Sequence, residues 1–87
     1  MSASLVRQQS GYYSLELETA DLDALKSAIL DRYGTPKTKR YPMLTVYRFG
    51  GCSFTFQHQW DDPCLIASSA EGDAILETLH GVLSGAD

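Results

Sequence analysis

Positive charge is scarce in this sequence: seven lysines and arginines stand against eleven aspartates and glutamates, a net charge of −4. A nonspecific grip on nucleic acid needs a basic surface, so that function class is not expected. The acidity is also too mild, and too free of long Asp/Glu runs, for a nucleic-acid mimic. Cysteine is nearly absent, with only Cys52 and Cys64. Neither these nor the histidines, His58 and His80, fall into the tight pairs that mark zinc sites, so no metal is expected. No apolar run approaches the roughly 18 residues of a membrane span. Met1 to Arg7 lacks the basic start and apolar stretch of a secretion leader. The expected location is therefore the cytoplasm, where both cysteines stay reduced and serve as small hydrophobes. No internal repeat, low-complexity segment or phosphate-binding glycine loop is present.

What is present is an ordinary globular composition, 44% apolar and 21% charged, on 87 residues. One domain is the only sensible count. Residues 1–10 lack periodicity and read as a flexible N-terminal arm, residues 11–84 as one domain, and residues 85–87 as a frayed tail. Tyr13, Leu15 and Leu17 alternate with Ser14, Glu16 and Glu18, which is the period of a half-buried strand. From Leu22 the period changes. Leu22, Leu25, Ile29 and Tyr33 recur at helical spacing, with Thr19 and Asp21 as candidate N-caps. Gly34 and Pro36 end that helix. The stretch from Thr35 to Pro42 reads as a connector carrying the basic cluster Lys37, Lys39 and Arg40.

Met43 to Phe49 and Cys52 to Trp60 flank Gly50-Gly51, and a two-residue type I′ loop needs positive φ at both central positions. With such a loop Phe49 faces Cys52, Tyr47 faces Phe54 and Thr45 faces Phe56. One sheet face then carries the aromatic residues. The other carries Leu44, Val46, Arg48, Ser53, Thr55, Gln57 and Gln59. A one-residue slip would put the two aromatic sets on opposite faces, which secures the register. Asp61-Asp62-Pro63 is a turn signal, and Cys64 to Ala67 a short strand. Ser68 and Glu71 fit a capping box for a last helix whose stripe is Ile75, Leu76, Leu79, Val82 and Leu83.

The expected fold is α+β in the order β-α-β-β-β-α, a two-layer sandwich. A mainly antiparallel four-stranded sheet would carry both helices on its aromatic face. The first strand would lie parallel beside the second through a right-handed crossover, or insert elsewhere.

No catalytic residues stand out, and no cofactor is expected. Cys52 and His58 lie on one strand roughly 20 Å apart, at about 3.4 Å per residue, too far to cooperate. Cys64 has no basic neighbour in sequence to activate it. The outer sheet face is the more promising surface, with Leu44, Val46, Arg48, Thr55 and Gln57 as candidate binding residues. The sequence therefore favours a noncatalytic protein-binding module of the inhibitor, immunity or adaptor type found among small bacterial and phage proteins. Its partner would be another protein or a second copy of itself, with no nucleic acid and no membrane. The alternative is a small homodimeric ligand-binding domain or enzyme with a site near His58, Trp60 and Tyr41.

Overall fold

Gly50 and Gly51 adopt φ of 61° and 79°, the positive values that both central residues of the tight loop require. The strands they join take the expected register, with Phe49 opposite Cys52, Tyr47 opposite Phe54 and Thr45 opposite Phe56. The structure is a computed structural model that describes residues 3–59 and 62–85, with the backbone alone for His58, Gln59 and Asp62. Its elements are β1 (Ser4–Arg7), β2 (Tyr13–Glu16), a 3-10 turn (Thr19–Asp21), α1 (Leu22–Tyr33), β3 (Lys37–Arg40), β4 (Thr45–Phe49), β5 (Cys52–Gln59), β6 (Asp62–Ala67) and α2 (Ala70–Leu83). The expected turn at Asp61-Asp62-Pro63 and the expected end of β5 at Trp60 fall partly outside the described residues.

The sheet is α+β in character but has six strands, not four, in the order β1-β2-β6-β5-β4-β3. Both additional strands are edges. β1 lies in the stretch expected to be a loose arm, and β3 in the stretch expected to be a connector. All five pairings are antiparallel. The strand β2 therefore does not run parallel beside β4. It pairs with β6, on the far side of the hairpin. The chain then crosses the inner face as α1 and returns as β3 at the opposite edge.

Both helices pack on the aromatic side. Leu76, Leu79 and Leu83 of α2 meet Leu15, Leu65 and Phe54 of the sheet in one core, with Leu25 and Ile29 of α1. The rings of Phe49 and Phe54 stack at 4.4 Å, and Tyr33 tilts against Phe49 at 5.4 Å. These separations are those at which aromatic pairs attract beyond simple burial. The end of α1 follows the sequence: Gly34 at φ 81° donates its N–H to Leu30. Asp21 takes the N-cap position of α1, as one of the two expected candidates, but its carboxylate does not bond to a helix N–H, and at α2 the cap differs from expectation. Asp21 accepts from the Glu18 N–H and closes the 3-10 turn ahead of α1. At α2 the cap is Ser69, whose Oγ accepts from the Gly72 N–H at 3.0 Å, one residue later than the expected Ser68. Ser68 instead donates to the Ser53 carbonyl at 2.8 Å, so its hydroxyl is already committed to the sheet. Asp73 ties the layers together by accepting from the Tyr13 N–H at 2.8 Å.

Candidate functional site

With both helices on one side, no other described element covers the opposite face. Its composition follows from register, because residues directly opposite in neighbouring strands project to the same side. One row crosses all six strands: Val6, Ser14, Ile66, Thr55, Val46 and Lys39. A second row runs Ser4, Glu16, Cys64 and Gln57, and Leu44, one residue before β4, continues the alternation of Val46 and Arg48. A third joins Lys37, Arg48 and Ser53. The structure thus brings Leu44, Val46, Arg48, Thr55 and Gln57 onto one face. Arg48 is exposed there, while the other four shield one another and are half-buried.

The face is polarised. Lys37, Lys39 and Arg48 surround a hollow of about 390 Å³ with Tyr41, Val46 and Ser53. The Lys39 ammonium sits 5.5 Å from the Tyr41 ring centroid, within range of a cation–π attraction. Among the described residues none of these three cations is paired with a carboxylate. Glu16 lies on the far side of the face, beside Cys64. Sequence reasoning had missed Lys37, Lys39, Val6 and Ile66 as members of this face. Only the Lys-x-Lys spacing of residues 37 and 39, the period of a strand, hinted at it.

Of the alternative trio His58, Trp60 and Tyr41, Tyr41 alone has a described side chain. Tyr41 lies on the outer face beside Lys39 and Val46. His58, opposite Pro63, occupies an inner-face register position. The His58 side chain and all of Trp60 lie outside the described residues. The inner face has its own opening, because α1 leans on α2 and stands off β4 and β5. That leaves a cleft of about 470 Å³ between Leu25, Ile29 and Leu30 on one wall and Tyr47, Phe56 and Leu65 on the other.

The cysteines fall on opposite faces, Cys52 with Phe49 on the inner and Cys64 with Gln57 on the outer. Both are free thiols. Burial, and secondarily the nearby Glu16 carboxylate, push the Cys64 thiol above its ordinary pKa of 9.0, opposed in part by contacts with Ser14 and the Gln57 backbone. A thiol held neutral is a poor nucleophile. Among the described residues no group of three His, Cys, Asp or Glu side chains stands close enough to hold a metal ion. No described helix is long and apolar enough to cross a membrane. Comparison with protein-family models, with curated proteins and with solved structures finds no match to this chain.

Proposed function

We propose that this chain is a protein-binding module of the inhibitor, immunity or adaptor type, working through the outer face of its sheet. The observation that supports this reading is the uncovered face itself. Val46 and Ile66 provide apolar surface on either side of Thr55, Thr55 and Gln57 provide hydrogen-bonding groups, and Arg48 stands at one margin. Apolar surface with a polar rim is the usual anatomy of a protein-binding patch. Arginine at such a margin adds a planar, multidentate donor.

The test uses Val46→Asp, which places a charge in this apolar surface and leaves the inner core untouched. Immobilised wild-type protein and the variant are exposed to extract from the source cells, and recovered proteins are identified by mass spectrometry. The recovered partner is then purified and its affinity for each form measured by calorimetry. The expected loss is about 30-fold or more, as for a central interface residue. Equal affinity for both forms would remove the sheet face from the reading. Sedimentation of the protein alone covers the case of a second copy: a dimer that Val46→Asp dissociates identifies the partner as the chain itself.

A further inference from the structure

The basic end of the outer face coincides with a free sheet edge, and the two together specify a kind of partner. Among the described residues β3 pairs with β4 alone, and its other side is open. Which backbone groups face that side follows from the loops. The two-residue loop at Gly50-Gly51 makes Phe49 and Cys52 a hydrogen-bonded pair, so Phe49, Tyr47 and Thr45 direct their N–H and C=O groups toward β5. Val46 and Arg48 then direct theirs toward β3, onto Lys39 and Lys37. The turn at the other end agrees: Tyr41 donates its N–H to the Leu44 carbonyl at 2.8 Å, the phase that pairs Lys39 and Lys37 inward. The N–H and C=O groups of Thr38 and Arg40 are left facing the open edge.

We infer that β3 receives an extended acidic polypeptide segment as a seventh strand, with carboxylates at alternate positions facing Lys37 and Lys39. The backbone of the incoming segment bonds to Thr38 and Arg40. Its residues opposite Lys37 and Lys39 project to the outer face, where Arg48, directly across from Lys37, adds a third cation. This inference rests on the proposed outer-face reading and names the partner's chemistry.

Charge supports this occupant over the others. Lysine on an edge strand repels strands like itself. A second copy of β3 would bring Lys37, Lys39 and Arg40 against their own kind. The same charges attract an acidic segment, and among the described residues none of them is paired with a carboxylate, in a chain whose net charge is −4. Of its seven basic residues, Lys37, Lys39, Arg40 and Arg48 lie on this one hairpin. An open row of backbone donors and acceptors matches a peptide backbone, and strand addition is a recurrent mode of peptide recognition.

The experiment titrates isotope-labelled protein with a short synthetic peptide alternating glutamate and threonine, followed by amide NMR shifts. The expected result is saturable binding, with the Thr38 and Arg40 amides among the most shifted. The double variant Lys37→Gln, Lys39→Gln should weaken it at least about tenfold, as should raised salt. Thr38→Pro removes one edge-facing N–H while leaving the ladder to β4 intact, since proline is tolerated where the N–H faces outward. It should weaken binding at least about fivefold. If Thr38→Pro does not fold, Arg40→Pro or the wild-type amide shifts carry the test. Peptide binding that Thr38→Pro leaves unchanged would overturn strand addition and leave the outer-face reading standing. A single-stranded oligonucleotide of equal charge that binds more tightly than the peptide would overturn the polypeptide assignment. Absence of peptide binding at millimolar concentration would overturn the inference, whereas the outer-face reading fails only if Val46→Asp has no effect.

Discussion

On the outer face Cys64 is half-buried beside Ser14 and Glu16. Ser14 is fully enclosed, and its Oγ has no well-formed hydrogen bond. Its contact with the Cys64 thiol only partly offsets the effect of burial, so the thiol pKa lies above 9.0. The sign of the linkage is fixed by that direction. Well below pH 9 both folded and unfolded chains keep the proton, and the contribution of Cys64 to stability is fully present and independent of pH. As pH rises further the unfolded thiol ionises first, and the stability contributed by Cys64 is lost as pH passes through its folded pKa. The same shift lowers the reactive thiolate fraction. At pH 9, iodoacetamide should modify Cys64 more slowly in the folded protein than in denaturant, measured by peptide mapping to separate it from Cys52. Glu16→Gln should recover part of that rate. Equal rates in the folded and denatured chains would show that the thiol is not held protonated.

At the scale of elements, the two glycines of the Gly50-Gly51 loop are not equivalent. A Cβ on Gly51 would meet nothing within 4 Å, whereas one on Gly50 would lie 2.8 Å from Ile75 Cδ1 and 3.1 Å from Tyr33 Cδ1. The Ile75 tip can rotate aside. The Tyr33 ring, packed against Phe49, has less freedom. Gly51→Ala should therefore cost about 1 kcal/mol, the strain of a non-glycine residue in the left-handed region. Gly50→Ala should cost roughly 1–3 kcal/mol more through overpacking. Urea unfolding of both variants checks the difference, and equal losses would show that the hairpin does not press on α1 and α2 as described. The elements readable in the sequence are those that bury a face. The hairpin showed its period of two in Phe54 and Phe56 against Tyr47 and Phe49, and the helices showed theirs in Leu25, Ile29, Leu76, Leu79 and Leu83. β3 did not, because Lys-Thr-Lys-Arg is exposed on both faces and an edge strand is not selected for an apolar stripe. The cap at Ser69 was missed because two adjacent serines satisfy the same local rule, and the distant Ser53 carbonyl decides between them.

For the whole molecule, strand order was the quantity that local pattern did not determine. The order β1-β2-β6-β5-β4-β3 depends on pairings between residues far apart in the chain, and the outer face is complete only once that order is known. Leu44, Val46, Arg48, Thr55 and Gln57 were legible because one hairpin holds them. Val6, Ile66 and Lys39 join their row only through the long-range pairings of β1, β6 and β3. The N-terminal residues carry the sharpest consequence of this difference. β1 pairs along its length with β2, and Ala3 and Leu5 pack against the core. His80 on α2 lies with Nε2 3.2 Å from the Ala3 carbonyl; a carbonyl only accepts, so this nitrogen donates. Arg7 donates to the Gly11 carbonyl at 2.9 Å and stacks over the Tyr13 ring at 4.7 Å. A loose arm could be removed without loss, whereas β1 cannot. Removing residues 1–8 should lower stability by at least about 2 kcal/mol, close to the burial of one leucine side chain. It should also turn β2 into an edge that lacks the lysines guarding β3, and unprotected edges invite self-association. Denaturant unfolding and sedimentation velocity of the shortened chain check both effects. An unchanged midpoint with a monomeric boundary would return residues 1–8 to the status of an arm and leave β2 as the true edge of the sheet.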